Sequence, residues 1–144
     1  MSIFNPSRDE VRAFFFEVWR KHQQQSVLTP LEELALRVML LHPEYHATLD
    51  RPEQYAQQEY FPEQGETNPF LHMSLHLSLL EQISINQPTG ITQVYQQLLL
   101  RYQDEMQVQH GMMECLVETI WQAQRYQQPL DSAAYLQRLQ ALVQ

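Results

Sequence analysis

Apolar residues recur at helical spacing along most of the chain, and caps, prolines and glycines divide them into separate stretches. Ser7 is a helix cap, with Asp9 and Glu10 in the acidic first turn, and VRAFFFEVWRKH follows with Phe15 and Trp19 on its packing face. This stretch fades in the glutamine run at 23–25, which leaves His22 at a frayed, solvated end. Thr29-Pro30 repeats the cap-then-proline signal ahead of LEELALRVMLLH. There Leu31, Leu34, Ala35, Val38 and Leu41 form a stripe that His42 continues, and Pro43 interrupts it. Residues 43–67 read as an irregular connection with one short helix near PEQYAQQ, either covering a site or wrapping the surface through Tyr45, Tyr55 and Tyr60. Asn68-Pro69 starts the next helix, NPFLHMSLHL, which runs to about Ile85, and NQPTG turns the chain. One long helix is predicted from Ile91 to about Tyr126, with Gly111 as a kink, and Pro129 ends it. Asp131 or Ser132 caps a last helix, AAYLQRLQALV. The pattern predicts an all-α, antiparallel bundle of about four to six helices. It forms a single domain, 1–144, with the 43–67 loop folded over part of it.

Histidine sits in the middle of this pattern. On NPFLHMSLHL, at about 100° per residue, Met73, Leu75, Leu79, Leu80 and Ile83 project near His72 and His76, while Ser74, Ser78 and Glu81 face away. Five of the six histidines fall in three clusters: His42/His46, His72/His76 and His110. In HGMMECLVETIW, Glu114 follows His110 by four residues and shares its helix face with Val117 and Trp121. Each buried imidazole left unpaired costs about 1–3 kcal/mol, so the clusters need one another, other polar partners or a shared cation. Neutral imidazoles converging with a carboxylate form a transition-metal shell. The candidate ligands are His42, His46, His72, His76, His110 and Glu114. Glu44, Glu63 and Glu66 read as solvated loop charges, with a ligand or general-base role as the alternative.

Composition narrows the function classes. The chain has 144 residues, 44% of them apolar and only 3 glycines, which fits a helical globular protein. A net charge of −8, from 9 Lys+Arg against 17 Asp+Glu, leaves no basic stripe for a nucleic-acid backbone or a membrane surface. The start, MSIFNPSRDEVR, lacks the order of a signal peptide, and no run approaches a membrane span, so a cytoplasmic address is expected. The single Cys115 excludes an internal disulfide and a cysteine-based zinc cluster, and it reads as a packing residue. Neither a phosphate-binding glycine loop nor a G-x-S-x-G elbow nor H-E-x-x-H occurs.

Two resemblances add to this reading. H-x-x-x-H at 72/76 and H-x-x-x-E at 110/114 are similar to ligand spacings of hemerythrin-like metal bundles, although the closing H-x-x-x-x-D is missing. On a larger scale NPSRDEVRAFFFEVW, LTPLE, HPEYH, FPEQGETNPFLHMSLHL, QPTGI and HGMMECLVETIWQAQR resemble an uncharacterised bacterial family, domain of unknown function 1841. The resemblance spans nearly the whole chain. It implies a small cytoplasmic bacterial protein and brings no established activity.

The expected function is therefore binding of one or two metal ions, with iron favoured over zinc. Iron would serve redox, oxygen or metal handling, and zinc would activate a bound water. The competing expectation is a metal-free interaction or adaptor module, whose histidines only brace the core.

Overall fold

Four caps start helices where the sequence places them. The Ser7 hydroxyl accepts from the Glu10 amide (3.2 Å) at the start of α1, Arg8–Gln23. Thr29 and Glu32 exchange side-chain and backbone bonds in a capping box at α2, Pro30–Leu41. The Asn68 side chain accepts from the Phe70 and Leu71 amides (3.0 and 3.1 Å), and Pro69 opens the long helix Pro69–Ile85. Asp131, not Ser132, caps the last helix, Ser132–Val143, by accepting from the Ala134 amide (3.0 Å).

The computed structural model describes residues 7–144, so residues 1–6 of the start read against a signal peptide lie outside the described residues. Among the described residues there are eight α-helices and no strand, an all-α fold. The helix count exceeds the expected four to six for two reasons. Residues 43–67 hold two single-turn helices, α3 (His46–Leu49) and α4 (Pro52–Tyr55), besides short 3-10 turns at Pro43–Tyr45 and Pro62–Gln64. The helix Pro69–Ile85 is α5. The predicted helix from 91 to 126 is in fact two, α6 (Ile91–Tyr102) and α7 (Glu105–Arg125), and Ser132–Val143 is α8. The break lies at Gln103, which takes a left-handed conformation (φ 53), and at Asp104, whose side chain caps α7 by accepting from Gln107 (3.0 Å). Gly111 lies inside α7 and marks no break.

The chain divides into two compact units, residues 1–77 and 78–144. In the first, α1 packs on α2 and α3. Phe15, Val18, Trp19, Ala35, Val38, Met39 and Leu49 are buried there. The α2 face is turned slightly from the expected stripe: Met39 and Glu32 are buried, whereas Leu31 is exposed. The 43–67 segment is tied down by Arg12. Its buried guanidinium donates through Nη1 to the carbonyls of Tyr55, Ala56 and Gln58 (3.2, 3.2 and 2.7 Å) and lies 4.7 Å from the Phe70 ring centroid. Trp19 adds a bond from its Nε1 to Asp50 (2.8 Å). In the second unit α6, α7 and α8 pack on one another, and the buried Tyr135 hydroxyl donates to Gln82 (2.7 Å).

Glu32 carries a testable part of this stability. Its carboxylate accepts from Lys21 Nζ (2.8 Å) and from the Thr29 amide (2.9 Å). The Lys21 bond first, and the backbone bond at Thr29 next, hold its pKa below the ordinary value. A carboxyl whose folded pKa is depressed stabilises above its unfolded pKa, about 4.3. That contribution is lost as pH falls through the lower folded value. Glu32→Gln is expected to cost about 1 kcal/mol at pH 7. In urea melts the difference from wild type should shrink toward zero at pH 3.

Candidate metal centre

Three imidazoles come from two helices, α2 and α5. His42 closes α2, and because Pro43 follows it, helical backbone is disfavoured there (φ −125, ψ 67). His72 and His76 stand one turn apart on α5, so both rings lie on one helix face. The His42 ring centroid is 4.5 Å from that of His72 and 5.3 Å from that of His76, both pairs edge to face. His42 Nε2 and His76 Nδ1 face each other at 3.1 Å. His42 and His76 are fully buried and His72 is half-buried.

The 3-10 turn after His42 presents two more groups to that ring. Glu44 lies 3.0 Å from His42 Nδ1 through Oε2, and Tyr45 stacks on the same ring with centroids 5.1 Å apart. Partial burial pushes the Glu44 carboxyl up. The bond from His42, a backbone amide and the neighbouring His42 and His72 rings outweigh this, so its pKa lies below the ordinary value. At neutral pH a carboxylate only accepts, so His42 Nδ1 carries the proton and donates to it. The Nε2 lone pair of His42 then points toward His76. This is the carboxylate–histidine pairing that orients metal-binding imidazoles in general. The sequence reading treats Glu44 as a solvated loop charge, and its side chain is indeed 58% exposed. The available signal was the order His-Pro-Glu, in which a proline turn folds a carboxylate back onto the preceding ring.

His42, His72 and His76 each offer one ligand atom, and these atoms all lie within 4.8 Å of one another. His110 is a half-buried residue of α7, in the second unit. The other two candidate ligands, His46 and Glu114, have surroundings of their own. His46 donates Nε2–H to the Met39 carbonyl (2.7 Å), since a carbonyl only accepts, and its ring lies 4.5 Å from that of Trp19. Glu114 is exposed and lines an open cavity together with His110. The expected α7 face is also turned: Val117 and Trp121 are 43% and 48% exposed, while Val108, Gln109, Met112, Met113, Leu116 and Thr119 are buried.

The family model described as a domain of unknown function (DUF1841) matches residues 7–141. The chain belongs to this family. No curated protein and no solved structure matches it. Membership in DUF1841 therefore brings no reaction with it, and the chemistry rests on His42, His72 and His76. No helix among the described residues is long and apolar enough to cross a membrane.

Proposed function

We propose that the protein binds a single divalent first-row transition metal ion, iron or zinc, through His42, His72 and His76. The observation that carries this reading is the convergence of three imidazoles, with the His42 ring centroid 4.5 Å from that of His72 and 5.3 Å from that of His76. Two nitrogens on one tetrahedral ion, each at about 2.0–2.1 Å, stand about 3.3 Å apart. The 3.1 Å between His42 Nε2 and His76 Nδ1 is close to that value. The span suits one ion and does not call for two. A two-ion shell with a carboxylate favours iron, whereas three neutral imidazoles on one ion suit zinc equally well. Iron at this centre would serve redox, oxygen or metal handling, and zinc a structural or hydrolytic role. The proposed setting is the bacterial cytoplasm, as the sequence resemblance implies.

The metal-free reading has one observation in its favour. At 3.1 Å the His42–His76 contact is a hydrogen bond in its own right, with His76 Nδ1–H donating to His42 Nε2. The two readings place the His76 proton differently. An ion held by both facing nitrogens needs His76 Nδ1 bare and its Nε2 protonated, whereas the hydrogen bond needs the reverse.

Glu44 provides the test. Zinc titrated into metal-stripped protein should give one ion per chain by calorimetry. Glu44→Gln keeps the shape of the side chain but removes the charge that orients and enriches His42. It should weaken affinity by about 10–100-fold with the fold unchanged. Wild-type protein that takes up neither zinc nor ferrous iron overturns the reading.

A further inference from the structure

Pro43 leaves one hydrogen bond of α2 unmade. In a regular α-helix the Met39 carbonyl accepts from the amide four residues on, but that residue is Pro43 and has no N–H. Two other donors take its place. The His42 amide reaches the Met39 carbonyl at 3.1 Å, and His46 Nε2–H reaches the same oxygen at 2.7 Å. The backbone of a candidate ligand and the side chain of a second histidine thus share one acceptor. The His46 ring lies 4.5 Å from that of Trp19, whose Nε1 donates to Asp50 (2.8 Å), and the Asp50 amide donates to the His46 carbonyl (3.0 Å). Trp19 of α1 therefore holds the single turn α3 at both of its ends.

We propose that His46 is a positioning residue of the metal centre. Its bond to the Met39 carbonyl holds the His42-Pro43 turn in the conformation that aims the His42 ring at His72 and His76. His42 lies past the regular part of α2, at φ −125 and ψ 67, so the hydrogen-bond ladder of the helix does not fix its direction. Glu44 sets which nitrogen of His42 is bare, and His46 sets where that nitrogen points. In HPEYH the ligand, the helix break, the orienting carboxylate, the stacking ring and the clamp follow one another directly. An ion that had to order this turn on binding would lose affinity to the ordering, and the clamp removes that cost. The inference rests on His42, His72 and His76 as the ligands, and it gives His46 a role there without a bond to the ion.

The test compares His46→Ala and His46→Gln with wild type, all as full-length, metal-stripped protein. Zinc calorimetry reads affinity, and visible absorption of the cobalt(II) form reads ligand geometry. His46→Ala should weaken zinc binding by about 10–100-fold and shift the cobalt bands, with the stoichiometry unchanged. Glutamine supplies a side-chain N–H for the Met39 carbonyl, so His46→Gln should recover most of both. Val18→Ala trims a fully buried side chain of α1 that has no polar atom. It should lower the urea midpoint and keep wild-type affinity and cobalt bands. Wild-type affinity and bands in His46→Ala would overturn the inference and leave the three-histidine centre standing. So would a His46→Gln protein that behaves as His46→Ala does, because the bond to Met39 would then not be the cause. An equal loss of affinity in Val18→Ala would trace the effect to stability alone and overturn it as well. Wild-type protein that binds neither zinc nor cobalt would overturn the centre itself, and the inference with it.

Discussion

Replacing His76 with alanine should abolish metal uptake while the helical circular dichroism spectrum stays close to wild type. His76 is completely buried, and its Nδ1 faces His42 Nε2 at 3.1 Å. Its loss therefore removes one ligand and leaves the His42 lone pair facing a gap. Losing one of three imidazoles should reduce affinity by orders of magnitude, because only two protein ligands remain to hold the ion against water. The helix itself should persist, since Phe70, Met73, Leu79 and Leu80 are all buried along α5. Leu79→Ala provides the contrast. Leu79 is also fully buried but offers no donor, so its truncation should cost about 2–5 kcal/mol of stability and spare metal uptake. Equilibrium dialysis with zinc, paired with urea melts, reads both effects. If His76→Ala binds zinc as wild type does, His76 is not a ligand.

Stripping the ion should lower the melting temperature at neutral pH. An ion that binds the folded site and not the unfolded chain stabilises by about 4 kcal/mol when present at a thousand times its dissociation constant. For a chain of this length that corresponds to a shift on the order of 10 °C. Mild acid should act in the same direction, because protons compete for the ligand nitrogens near the free-histidine pKa, about 6.5. The stripped protein should respond less to the same acidification. A metal-free hydrogen-bonded histidine pair would also weaken in acid, since charging a buried imidazole is costly, but its melting temperature would not respond to the chelator. Calorimetric scans at pH 7.5 and 6, with and without chelator, separate the two.

Local signals were the most legible part of the sequence. Ser7, Thr29-Pro30 and Asn68-Pro69 start helices because capping depends on residues within one turn. The same physics was missed at Asp104, where apolar spacing on both sides suggested one helix and hid a cap followed by an acidic first turn. Helix faces were harder to place. A stripe centred on Leu31 and Leu34 competes with one centred on Ala35, Val38 and Met39, and only packing against α1 decides which is buried. At the centre, the convergence of His42, His72 and His76 was legible because an imidazole on an apolar face needs a partner. His46 follows the same spacing rule, but it lies beyond the proline turn, which directs its ring to Met39 and Trp19. Glu44 was obscured because its value depends on the turn geometry and not on its surroundings in the sequence.

The most direct test of the central claim is the metal content of protein purified without a histidine tag, measured by mass spectrometry of the elements against protein concentration. The three-histidine centre predicts close to one equivalent of iron or zinc per chain in wild type, and a value near zero in His76→Ala purified alongside it. Wild-type protein that comes out of cells without metal, and stays empty after incubation with zinc or ferrous iron, would contradict the account.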